Sequence, residues 1–237
     1  MLRIKLTLLT LIIGACATVS NSDVILLDSK PINAKSGNIL ENQLKETPID
    51  IWERIRRELT IKIPDDQIAA TSIYRERLYK NQSAVNRISK SGQRYLFHTL
   101  SRAQELDLPV ELALLPFVES EFDPYAKSVD GATGIWQFMP ATGKEWGLKS
   151  NWWYDGKKDV LASTEAALKF LSYLHQKFDE DWLLAMAAYN TGPSRVNRAI
   201  RKNKMQDKGI RFWDLDLPKE TTAYVPKLLV LCELINN

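Results

Sequence analysis

Leu112-Ala113-Leu114-Leu115-Pro116-Phe117-Val118-Glu119-Ser120-Glu121-Phe122 is an apolar run that ends on a carboxylate. Read as a helix, it places Leu112, Leu115, Glu119 and Phe122 on one face. A carboxylate on an apolar face loses solvation, and the ionised form loses most, so the pKa of Glu119 is expected to rise. Its place near a helix C-terminus, the negative end of the macrodipole, acts in the same direction. A carboxylic acid that keeps its proton near neutral pH can serve as a general acid. The plainer reading of the same residues is a surface Glu at a frayed helix end. Glu121 points about 200° away on a helix and is expected to be solvated.

Outward from this stretch the pattern stays helical. Ile51-Trp52, Ile55 and Leu59 fall at helical spacing, as do Ile68, Ser72-Ile73 and Leu78-Tyr79. Tyr95-Leu96, Thr99-Leu100 and Ala103 continue a third stripe. Asp159 is a candidate N-cap for a helix carrying Val160, Ala167, Leu171, Leu174 and Phe178. Further helices are expected from Asp181 to Tyr189 and from Pro218 to Ile235, with Pro218 in a first turn. No stretch alternates in the manner of a strand. The class is all-α, with short helices broken by Gly and Pro.

The chain has 237 residues, 45% hydrophobic and 26% charged, as a packed domain with extensions would. The formal charge of +3 falls to +1 once Arg3 and Lys5 are set aside, so no nucleic-acid footprint remains. Those two cations precede the apolar run Leu6 to Ile13, which is too short to span a bilayer and suits a secretory signal. The run ends in Ile13-Gly14-Ala15-Cys16, which resembles a bacterial lipobox; a plain secretory signal with an incidental Cys is the alternative. The lipobox reading makes residues 1–15 a signal peptide and Cys16 the acylated N-terminus. Ala17 in place of Asp then implies retention at the outer membrane. Residues 16–47, rich in Ser, Asn, Asp and Lys, read as a flexible tether. With Cys16 acylated, Cys232 has no disulfide partner and reads as a buried thiol among leucines.

Other segments could carry chemistry. In Gly131-Ala132-Thr133-Gly134-Ile135-Trp136-Gln137 two glycines let a turn approach a ligand and present Gln137; the segment also reads as a purely structural turn. Ala188-Tyr189-Asn190-Thr191-Gly192 is a helix end with Gly192 as its C-cap, offering an aromatic ring and an amide. Helix ends carry Asn and Gly for local reasons as well. Six of the seven tryptophans, Trp136, Trp146, Trp152, Trp153, Trp182 and Trp213, form a loose set that suits stacking on sugar rings. Most are expected in the core, with Trp136, Trp152 or Trp153 the ones to touch a ligand. The two histidines, His98 and His175, stand far apart on helical stripes, so neither a metal site nor a Ser-His-Asp triad is supported. No phosphate-binding glycine loop is present.

Four segments taken in order, Glu119-Ser120, Gly134-Ile135-Trp136-Gln137, Ala188-Tyr189-Asn190-Thr191-Gly192 and Glu220-Thr221-Thr222-Ala223-Tyr224-Val225, resemble the family 23 lytic transglycosylases, which share a soluble-lytic-transglycosylase-like domain. Within that family the chain is similar to the membrane-bound lytic transglycosylase D group. That group also has a helical lead-in, here residues 48–108, before a catalytic domain, here 109–237. The resemblance implies a goose-type lysozyme fold, two-lobed and helical with a substrate cleft. It implies Glu119 as the catalytic acid and base, with Ser120, Gln137, Tyr189 and Asn190 as cleft or substrate-binding groups. Tyr224 is implied as hydrogen-bond partner of the Glu. Trp136 stands where the family often has Met.

The implied substrate is the glycan strand of peptidoglycan, and no cofactor or metal is implied. Glycosidases usually use two carboxylates, and only Glu119 has an apolar, motif-flanked setting. That suits a mechanism in which the sugar's own N-acetyl group and C6 hydroxyl replace the second acid and water, closing a 1,6-anhydro ring. Two other readings are a hydrolytic lysozyme recruiting Asp123 or Glu121 and a non-catalytic wall-binding receptor. The expected location is the cell envelope, on the periplasmic face of the outer membrane.

Overall fold

The computed structural model describes residues 50–80, 86, 90, 92 and 94–237; Cys16, the signal segment and the whole of the tether lie outside them. The helices are α1 (Ile51–Glu58), α2 (Ile68–Lys80), α3 (Leu96–Glu105), α4 (Leu115–Ser120), α5 (Pro140–Glu145), α6 (Val160–Lys177), α7 (Trp182–Thr191), α8 (Pro193–Lys204) and α9 (Lys219–Asn236). A 3₁₀ turn, Val110–Leu114, runs directly into α4. No strand forms among the described residues, only isolated bridges such as Thr133 with Phe138. The domain is all-α.

Local chemistry explains where the long helices begin. The Asp159 carboxylate accepts from the backbone N–H of Leu161 and Ala162, and Asp181 does the same for Leu183 and Leu184. Each cap satisfies donors that a helix start leaves open. Gly192, at φ 88°, closes α7 and opens α8, with Pro193 in the first turn. Pro218 is the N-cap of α9 and lies just outside the helix.

One core joins these elements. Leu96 and Leu100 of α3, Leu168, Leu171 and Leu174 of α6, Met186 of α7 and Leu228 of α9 are fully buried in it. Ile55 of α1 belongs to the same cluster, so α1 and α3 share one core with the helices that follow. Glu111 ties the two together: its Oε1 accepts from the N–H of Thr60 and from that of Ile61 at 2.6 Å. Cys232 is buried, and its thiol is pushed up by desolvation.

Two sequence expectations change. In α2 the stripe Ile68, Ile73, Tyr79 lies at the surface, 43–48% exposed, and Thr71 is the buried residue. The helix leading to Glu119 ends at Ser120, two residues short of Phe122. Glu121 (φ 51°) and Phe122 (φ 61°) are both left-handed, and the Phe122 N–H bonds back to the Pro116 carbonyl. Phe122 therefore reaches the core by chain reversal rather than by helical period, meeting Phe117 edge-on at 4.6 Å. Glu121 is exposed.

Candidate active site

The reversal after α4 has a consequence for Glu119. The helix stops as soon as its carboxylate has been delivered, and the chain then builds the loop 121–139 around it. Glu119 opens into a cleft of about 550 Å³. Gln137 and Phe138 line it from the glycine-rich loop, Tyr189 and Asn190 from the end of α7, and Glu220 and Tyr224 from α9.

The carboxyl of Glu119 is raised to about 7, first by desolvation, while the Tyr224 hydrogen bond pulls it down and the charge of Glu220 pushes it up. The Tyr224 hydroxyl donates to Glu119 Oε1 at 2.6 Å. Burial holds the Tyr224 phenol far above its ordinary range, with the Glu119 charge adding to it, so it remains a donor. A carboxyl poised near neutrality, hydrogen-bonded and facing a polar cleft, can give a proton and take one back.

The neighbours are held by backbone contacts. Gln137 sits at φ 47°, and its amide donates to the carbonyls of Gly134 at 2.8 Å and Ala126 at 3.3 Å. Gly134, at φ 83°, lies so close to the Lys157 carbonyl that a side chain there would overlap it. The Tyr189 hydroxyl donates to the Trp136 carbonyl at 2.8 Å, and its ring packs on Phe170 at 5.4 Å. Asn190 Oδ1 accepts from Thr221 Oγ1 at 2.8 Å, locking the end of α7 to the start of α9.

Four residues fall elsewhere than the sequence suggested. Ser120 is no part of the cleft lining; its hydroxyl donates to the Ile135 carbonyl at 2.9 Å and pins the glycine-rich loop to α4. Trp136 is fully buried, its indole N–H on Thr164 Oγ1 at 2.9 Å, so it is a core residue and cannot stack on a ligand. Trp152 and Trp153 are 88% and 91% exposed on a separate loop and do not line the cleft. One residue was missed: Glu220, a second carboxylate on the cleft, one helical turn before Tyr224. The i, i+4 spacing of the two within Glu220-Thr221-Thr222-Ala223-Tyr224 was the available signal. Among the described residues no cluster could hold a metal ion.

The domain is helical, with the poised Glu119 carboxyl over a polar cleft, and its fold is lysozyme-like. The 70 kDa soluble lytic transglycosylase of Escherichia coli aligns with TM-score 0.51 at 18% identity, over 85% of this chain and 43% of that one. Residues 98–212 match the Transglycosylase SLT domain, and this segment of the chain belongs to that domain family. Membrane-bound lytic murein transglycosylase D of Escherichia coli strain K12 is 42% identical over 188 residues, covering 79% of this chain. Soluble lytic murein transglycosylase of Salmonella typhimurium is 28% identical over 141 residues, 56% of this chain and 21% of that protein. The chain spans 41% of the length of the first of these relatives. Glu220 and Tyr224 lie beyond the residues matched by the SLT domain.

Proposed function

We propose that this protein is a peptidoglycan lytic transglycosylase, cleaving the β-1,4 bond between N-acetylmuramic acid and N-acetylglucosamine to leave 1,6-anhydro-N-acetylmuramic ends. The observation that carries this reading is Glu119, held near a pKa of about 7 by desolvation and bonded to Tyr224. Its relatives' names point the same way.

In the proposed reaction Glu119 protonates the glycosidic oxygen as the bond from C1 breaks, and the N-acetylglucosamine strand leaves with that oxygen as a hydroxyl. The N-acetyl carbonyl of the muramic residue stabilises the cation at C1. Glu119, now ionised and accepting from Tyr224, removes the proton of the C6 hydroxyl, whose oxygen closes on C1. The acid is restored and no water is consumed. The C6 hydroxyl is tethered to its target, which gives it a high effective concentration over solvent. Gln137, Tyr189 and Asn190 are the proposed substrate contacts, and Ser120 positions the loop that carries Gln137.

Glu220 supports a second reading, hydrolysis, in which it activates a water. Digestion of sacculi in heavy-oxygen water separates the two. Transglycosylation yields unlabelled anhydro ends; labelled reducing ends as the main product would establish hydrolysis instead.

The proposal extends to the N-terminus, with residues 1–15 as signal, Cys16 as lipid anchor, 16–47 as tether, 48–108 as lead-in and 109–237 as catalytic domain. The anchor holds the enzyme on the periplasmic face of the outer membrane. No described helix is long and apolar enough to cross a membrane. Cys16→Ser is expected to leave an unprocessed precursor; wild-type protein without an acyl mass at Cys16 would refute the anchor.

A further inference from the structure

We infer that the exposed cationic face of α8 is a second binding surface, which takes the carboxylates of the stem peptides on a glycan strand leaving the cleft. The inference rests on the glycan substrate proposed above. Residues 193–211 hold seven Lys and Arg against one Asp, while the rest of residues 50–237 sums to a charge of −4. The positive charge of the folded region is thus concentrated on one helix and the loop that follows it.

The cations are free to act. Arg195, Arg198, Arg201, Lys202 and Lys204 are all exposed. Lys202 pairs with Asp216 at 2.9 Å, but Arg198, Arg201 and Lys204 have no acidic partner among the described residues. Exposed like charges this close repel one another. Arg201, Lys202 and Lys204 in the last turn complement the helix dipole, but Arg198 stands well before that turn, and α8 is already held by Val196 and Ala199 in the core.

The face is continuous with the cleft. Thr191, Gly192 and Pro193 line the cleft's edge, and α8 starts at Pro193. Arg195 hydrogen-bonds Thr191 Oγ1 at 3.1 Å, where the two surfaces meet. From Arg195 to Lys204 the helix runs about 14 Å away from that edge. A strand threading past Asn190 and Pro193 would carry its peptide carboxylates along this row, where guanidinium groups match carboxylate geometry. An anionic lipid surface fits less well. An interfacial helix inserts an apolar face, whereas the apolar face of α8 packs into the domain, leaving Met205 exposed only at its far end.

The test uses the full chain carrying Glu119→Gln, so that strands are bound without being cut, and soluble glycan strands with stem peptides intact or removed by an amidase. Peptide-bearing strands should bind about tenfold tighter than stripped strands, the product of a few exposed ion pairs each worth a few-fold. That preference should fade with added salt. It should disappear in Arg198→Gln/Arg201→Gln/Lys204→Gln and persist in Arg57→Gln/Lys62→Gln/Lys80→Gln, which removes equal charge elsewhere. A preference that survives the first triple, or is lost equally in both, overturns the inference. So does a first triple whose only defect is weaker binding to vesicles of anionic phospholipid, which would make the face a membrane contact. Binding of neither strand by the parent chain would instead refute the glycan substrate itself.

Discussion

Tyr224 donates a 2.6 Å hydrogen bond to Oε1 of Glu119 across 105 positions of sequence, joining α9 to the end of α4. The bond opposes the desolvation that raises the Glu119 carboxyl, while Glu220 on the same helix assists it. One helix thus carries both adjustments to the acid.

These opposed influences predict opposed pH profiles. In the proposed reaction the protonated acid is needed first, so kcat/KM should fall as pH rises through about 7, the position of the Glu119 carboxyl. Tyr224→Phe removes the influence that lowers that value, so the descending limb should move to higher pH. Glu220→Gln removes the raising charge, so the limb should move to lower pH. Rate profiles of the two variants moving in the same direction would disprove this account.

Glu119→Gln should reduce turnover by at least about a hundredfold, the usual scale of general acid–base catalysis. Glu121→Gln, on an exposed left-handed residue after the helix end, should change it by less than about twofold. Muropeptide release by each variant measures both.

The same substitution should stabilise the fold at high pH. The folded carboxyl is raised from 4.5 to about 7, so the native state binds the extra proton between those values and stability falls as pH climbs through that window. Above pH 7 Glu119→Gln should recover up to about 3 kcal/mol, and below pH 4 nearly none. Thermal melts at the two extremes test this; an equal change at both would be contrary evidence.

Gly134→Ala should be far more damaging than its size suggests. The position has φ 83°, and the new methyl would strike the Lys157 backbone carbonyl. Loop 131–138 would have to shift, carrying Gln137 with it. A loss of at least about 3 kcal/mol is expected, with a fall in melting temperature near 10 °C, alongside a raised KM.

Glu111→Ala should loosen the lead-in. The buried carboxylate satisfies two backbone N–H groups, those of Thr60 and Ile61. Leaving them unpaired should cost about 2–4 kcal/mol. Hydrogen exchange should show faster exchange at 59–63 while the amides of α6 keep their protection.

The sequence by itself determined whatever depends on near neighbours. Asp159 and Asp181 announce their helices because a cap works within three residues, and Gly192 marks a helix end for the same reason. The stripe Leu96, Thr99, Leu100, Ala103 is buried as its period implied. The type of domain was legible because four short segments stand in a fixed order. Tertiary structure alone decided the rest. Helical periodicity carried Phe122 onward with Glu119, yet the chain reverses at Glu121, and contact with Phe117 and the core outweighs the strain of two left-handed residues. Trp136 had the residue type of a sugar platform, but Thr164, 28 positions on, claims its indole N–H and the core encloses it. Ser120 turned to a carbonyl of the loop it braces. Glu220 went unnoticed because an exposed Glu in a first helical turn is locally unremarkable; only the packing of α9 beside α4 brings its charge to bear on Glu119. Desolvation and Coulomb coupling are collective properties of chain segments far apart in sequence, so a local pattern can nominate the acid at 119, but the fold sets its proton affinity.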